Sequence, residues 1–144
     1  MQTLFWISLS VLLYTYLGYG ILLLFLNLFK KKQPLLPLAE LPSLTLIVPA
    51  YNEEQVIEKK IQNSISLDYP KDKLFFLFVT GGSTDRTNEI IQTYPQIKLL
   101  TGQARQGKTA AINNAMREVQ TPVVVFTDAN TLLHDQCLRK IVQH

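Results

Sequence analysis

Beyond an apolar N-terminus, this 144-residue sequence predicts an α/β fold with a parallel sheet flanked by helices. Three observations predict it. Short apolar runs alternate four times with segments of helical spacing, and such alternation gives parallel strands joined by right-handed crossovers. The runs are nearly continuous in Leu, Ile, Val and Phe, as strands covered on both faces are. Each run also ends on a loop rich in Asn, Gly, Asp or Lys, which places polar residues where open α/β sheets bind ligands.

The N-terminus has a different solvent. Residues 1–29 carry no charge and are dense in Leu, Ile, Phe and Tyr. About 20 apolar residues span a bilayer core as a helix, so the segment predicts one transmembrane helix. No Lys or Arg precedes the run and no small-residue cleavage site follows it, which argues against a cleaved signal. Lys30, Lys31 and Lys32 flank its C-terminal end and predict a single-pass cell-membrane protein with a cytoplasmic soluble domain. These three lysines also account for the whole formal charge of +3. The rest is formally neutral and shows no basic stripe, so nucleic acid is not an expected partner. One cysteine, Cys137, forms no internal disulfide, in agreement with a reducing compartment. The domain plan is therefore an anchor with basic flank at 1–32, a Pro-rich linker at 33–43 that reads as an extended tether, and a domain at 44–144.

Within that domain Leu44–Val48 reads as a first buried strand stopped by Pro49, and Ala50, Tyr51 and Asn52 as a loop. Val56, Ile57, Ile61 and Ile65 have helical spacing, predicting a helix over 53–67 with Glu53 and Glu54 in its first turn. Asp68–Pro70 ends it. Leu74–Val79 is a second strand, Thr80–Ser83 a glycine turn, and Thr84 to about Tyr94 a second helix. Ile97–Leu100 is a third strand and Lys108–Val119 a third helix. The central stretch is PVVVFTDANT, 122–131: an apolar strand, expected to be buried on both faces, that breaks abruptly on Asp128, Ala129 and Asn130. A last helix starts near Asp135.

Three of these loops carry chemistry. Asp128 and Asn130 supply hard oxygen ligands two residues apart, suited to Mg²⁺ or Mn²⁺ carrying a substrate phosphate. The same residues also suit a helix cap and turn. In TGGSTDRT, 80–87, Gly81 and Gly82 permit an unusual backbone, and Ser83 or Thr84 can cap a helix whose free N–H groups attract phosphate or ribose oxygens. Asp85 there is equally a favourable charge on a helix dipole. Gly102–Thr109, GQARQGKT, matches the phosphate-binding P-loop pattern in full, so a P-loop nucleotide-binding protein is a second reading. Its interior has no glycine to wrap amides around a phosphate. His134 and His144 have no zinc-type ligand spacing, and no nucleophile elbow is present.

The ordered set LTLIVPAYNEE, GGSTDRT, GKTAAINNAM and VVVFTDANT resembles the N-terminal half of family 2 glycosyltransferases over about residues 43–144. The resemblance implies a Rossmann-like GT-A parallel sheet, incomplete here, preceded by one transmembrane helix. It implies an enzyme of hexosyltransferase type that binds a nucleotide-sugar donor and transfers to a polysaccharide or lipid acceptor. Pro49, Ala50, Tyr51, Asn52 and Glu53 would line the nucleotide, with Asp85, Lys108 and Asn113 in the same donor pocket. Asp128 and Asn130 would hold a divalent cation, Mg²⁺ or Mn²⁺. The lipid bilayer and a separate chain carrying the acceptor half are the further partners implied. Gly81 stands where the family usually has Asp, and Asn130 replaces a second acid. The family's general base and its acceptor element would lie beyond residue 144. The expectation is thus a donor-binding half, inactive alone, and the lost acid at Gly81 keeps a degenerate, non-catalytic membrane stub as a third reading.

Overall fold

The computed structural model describes residues 1–29, 37–102 and 107–143, without the side chains of residues 38, 107, 108 and 111. The chain divides into two compact units, Met1–Pro34 and Leu35–His144. In the first, α1 (Gln2–Leu13) and α2 (Tyr19–Leu28) are joined through a π-helical turn, Tyr14–Gly18, into one continuous helix. At 27 residues it is long and apolar enough to cross a membrane, reaching about 40 Å. Thr15 Oγ1 donates to the Val11 carbonyl at 2.7 Å, so this hydroxyl is satisfied inside its own helix, as an apolar solvent demands.

The second unit is built on a four-stranded parallel sheet of order β3-β2-β1-β4, with β1 Leu44–Ala50, β2 Leu74–Thr80, β3 Ile97–Thr101 and β4 Val123–Phe126. Side chains alternate between its faces. Leu44, Leu46 and Val48 point to one face and pack with Ile57 and Ile61 of α3 (Ile57–Ile65) and Ile91 of α4 (Thr87–Gln92). Leu138 of α6 (Cys137–Ile141) completes that core. Ile47, Leu77 and Val79 point to the other face, where Ala115 of α5 (Gly107–Met116) covers them. Three helices on one face and one on the other leave Phe75 and Phe126 about half exposed on the thinner side.

Several elements differ from their sequence expectation for local reasons. Pro49 does not stop β1, which runs on to Ala50 in register with Thr80. The Ile47 carbonyl accepts from Thr127 N–H at 3.1 Å, so Ile47, and Pro49 two residues on, face the β4 side. Their ladder ends at Ile47↔Phe126, and no ladder bond is asked of a proline nitrogen beyond it. The strand buried along almost its whole length is β1, whereas β4 is an edge strand with Phe126 exposed. Helix α3 begins at Ile57 instead of Glu53, so Glu58 and not Glu53 or Glu54 lies in its first turn. Helix α4 begins at Thr87 instead of Thr84, and α6 covers only Cys137–Ile141.

The described part of the linker is not a free tether. Leu38–Glu40 is a turn of 3-10 helix and Leu41 is buried. Lys73 Nζ donates to the Ala39 and Leu41 carbonyls, both at 2.9 Å, and Tyr69 Oη donates to Pro42 O at 2.6 Å. These bonds fasten residues 39–42 to the domain beside the start of β1.

Candidate functional site

Parallel strands bring their carboxyl ends to a single rim, and the described exit loops of β1, β2 and β4 start there. The β1 and β2 exits, neighbours in the sheet, are stitched together by their own side chains. Asn52 takes a left-handed backbone (φ 54°), a conformation Asn tolerates better than most residues. Its Oδ1 accepts from Thr84 N–H at 2.9 Å, and its own N–H donates to Ser83 Oγ at 3.2 Å. Gly82 opposite is also left-handed, at φ 74°. Next along the chain, Glu53 N–H donates to Thr87 Oγ1 at 2.9 Å and Glu54 N–H to Asp85 Oδ2 at 3.0 Å. Arg86 N–H returns a bond to Glu54 Oε2 at 3.1 Å.

The backbone amides that would begin α3 and α4 are held by side chains of the opposite loop. Asp85 is the hub: Oδ1 accepts from the Thr87 N–H and hydroxyl while Oδ2 takes Glu54 N–H. Burial pushes its carboxyl up, but the bonds from Thr87 and Glu54 outweigh that and hold it below the usual carboxylate range. Asp85 therefore buttresses the rim, and a ligand reaches only its remaining lone pairs.

The other expected residues sort by exposure. Tyr51 is 40% exposed beside Asn52 on the rim. Ala50 is only 5% exposed and packs in the core, so its methyl is closed to a ligand and the position offers backbone alone. Pro49 is half-buried at the strand end, and Asn113 is exposed on α5. The side chain of Lys108 and residues 103–106 of the P-loop pattern lie outside the described residues. Gly81 has open space where a side chain would go, since an added Cβ meets nothing within 4 Å.

At the exit of β4, strand alternation continues into the loop. Thr127 and Ala129 are buried, while Asp128 and Asn130 are exposed on the opposite side. Thr131 N–H donates to the Asp128 carbonyl at 3.2 Å, closing a turn over residues 128–131. Among the described residues no group of three or more His, Cys, Asp or Glu could hold a metal. Two oxygen donors suit a hard cation that takes its remaining ligands from phosphate and water, and the residues fit such an ion.

Sequence reasoning missed the residues beneath this loop. Lys60 of α3 is fully buried, and its Nζ donates to Thr127 Oγ1 at 2.9 Å and Thr131 O at 2.6 Å. Burial lowers its ammonium from the ordinary 10.5 to about 8, against the opposing pull of Cys137 and Asp128. Its signal was present: Lys60 interrupts the apolar stripe of Ile57, Ile61 and Ile65. A cleft of about 1150 Å³ lined by Ser43, Leu74, Pro95 and Thr121 lies at the opposite, amino-terminal end of the strands, away from every expected site residue.

The domain is thus an α/β protein with a parallel sheet and polar residues along its carboxyl rim, the edge at which open α/β sheets bind ligands. Residues 45–144 match the family described as Glycosyl transferase family 2, and the chain belongs to that family. It is 38% identical over 109 residues to a beta-monoglucosyldiacylglycerol synthase of Synechocystis sp., covering 72% of this chain and 23% of the relative. A mannosyltransferase of Pyrobaculum calidifontis solved with GDP-Man and Mn²⁺ superposes with a TM-score of 0.73 at 33% identity, over 93% of this chain and 42% of that one. Staphylococcus aureus TarS with UDP-GlcNAc gives 0.60 at 25% identity, over 70% of this chain and 30% of that one. The chain thus spans about a quarter of the length of the curated relatives it matches. The fold is the GT-A type of these glycosyltransferases. The P-loop pattern at Gly102–Thr109 falls inside the matched region and is part of this family's domain.

Proposed function

We propose that residues 44–144 bind the nucleoside diphosphate of a sugar-nucleotide donor at the carboxyl rim of the sheet, as the donor half of a membrane-anchored glycosyltransferase. One observation carries this reading: Asp128 and Asn130 are both exposed just past the carboxyl end of β4, the strand paired with β1. Tyr51 and Asn52 line the nucleotide, and Asn52 keeps its strained backbone because Ser83 and Thr84 hold it. Lys108 and Asn113, at the start and along the exposed side of α5, border the same pocket.

Asp128 and Asn130 would hold a divalent cation together with diphosphate oxygens, and such a cation stabilises the negative charge of a departing nucleoside diphosphate. The amide of Asn130 contributes an oxygen without charge, so the residue pair carries one negative charge where two acids would carry two. Gly81 gives the base a wide berth rather than a carboxylate contact. The relatives named above include a lipid glycosyltransferase, which supports a lipid or polysaccharide acceptor. The uncharged span before Lys30–Lys32 supports a single-pass anchor with the domain on the cytoplasmic side.

The test is calorimetry of the full chain in detergent micelles with UDP- and GDP-sugars, with and without Mn²⁺. Mn²⁺-dependent binding is expected, without transfer by these residues alone, and Asp128→Ala should weaken it by about 10-fold or more. Binding of ATP or GTP that ignores Mn²⁺-sugar-nucleotides would instead support the P-loop reading.

A further inference from the structure

The loop that carries Asp128 and Asn130 is fastened from below by one helix. Lys60 Nζ bonds Thr127 Oγ1 at 2.9 Å and the Thr131 carbonyl at 2.6 Å, so its two bonds bracket residues 128–130. One turn further along α3, Asn63 makes a reciprocal pair with Leu133: its Nδ2 donates to Leu133 O at 2.9 Å and its Oδ1 accepts Leu133 N–H at 2.8 Å. Residues three apart on a helix share a face, so both side chains reach the same loop. The loop is therefore pinned at 127, 131 and 133.

A fully buried lysine is an expensive way to fill a core position, since an ammonium loses its hydration and a methionine of similar length would not. Lys60 sits among Ile57, Ile61 and Leu138, where packing alone asks for an apolar residue. What an apolar residue cannot do is hold a hydroxyl and a carbonyl on either side of a three-residue turn. We propose that Lys60 and Asn63 are positioning residues that fix the spacing and outward aim of Asp128 and Asn130 before a cation arrives. Neither touches the ligand. The inference rests on the reading of Asp128 and Asn130 as cation ligands.

The full chain in detergent micelles is compared with Lys60→Met and Asn63→Ala. In the metal-free proteins, amide hydrogen exchange over residues 127–133 should quicken in both variants while β1 stays protected. With UDP or GDP as probe, the Mn²⁺-dependent gain in affinity should fall about 10-fold. Nucleotide affinity without metal should stay within about twofold, and the electron paramagnetic resonance lines of bound Mn²⁺ should broaden. Lys60→Arg, which keeps a donor, should recover part of the loss. Where Lys60→Met fails to fold, Asn63→Ala, at a half-buried position, carries the same readouts. A folded Asn63→Ala or Lys60→Met chain with unchanged exchange and unchanged Mn²⁺-dependent affinity overturns the clasp alone. A wild-type chain whose nucleotide binding ignores Mn²⁺ overturns the donor reading, and the clasp with it.

Discussion

Asp85 is a carboxylate at the rim whose oxygens are engaged within the protein. Its position after the glycine turn marks it as part of the rim, and the structure puts it there, but its oxygens hold Glu54 N–H and both donors of Thr87. Because these bonds keep its carboxyl below the ordinary range, the folded chain favours the charged form. A depressed acid contributes stability that is fully present above its unfolded value and is lost as pH falls through the folded one. Asp85→Asn should therefore lower stability by about 1–2 kcal/mol near neutrality, and the gap should close as pH drops below about 4. Urea denaturation of both chains at pH 7 and pH 3 measures it. Asp128 and Asn130 were legible as a pair because strand alternation carries into the loop. Thr87 and Asn63 were not, since their partners lie 34 and 70 residues away in the chain.

At the scale of elements, hydrophobic periodicity located the four strands and the α-helices between them but misplaced several ends, and it missed the 3-10 turn at Leu38–Glu40. Periodicity reports which side chains face the core, and it is silent on where backbone amides find partners. Of the residues expected to open α3, Glu53 and Glu54 bond the β2 exit through their amides, and the helix starts at Ile57. The apolar run of β4 likewise cannot say whether a strand is central or outermost, and here it is outermost. Pro49 offers a direct contrast with its neighbours. Its ring sits past the end of the β1–β4 ladder, so Pro49→Ala should cost less than about 1 kcal/mol, while Leu46→Ala, fully buried in the same strand, should cost about 2–5 kcal/mol. Chemical denaturation of the two variants should show that asymmetry.

For the whole molecule, the chain holds two units: a continuous apolar helix long enough to cross a membrane, with side chains such as Trp6, Leu24 and Phe25 more than half exposed, and a domain with a core on both faces of its sheet. The full chain should stay in the membrane pellet after an alkaline carbonate wash, and release into the supernatant would rule out a spanning helix. The long apolar helix was readable because length and lack of charge suffice for it. The fastening of residues 39–42 was not, since Lys73 and Tyr69 meet them only after folding.

The outermost strand of the sheet and the loop carrying Asp128 and Asn130 are one piece of chain, Val123 to Asn130. Peptide groups at Val124 and Phe126 alternate with those turned toward β1 and so look outward. Any polypeptide that zips onto that row arrives about 4.8 Å from the backbone leading to Asp128.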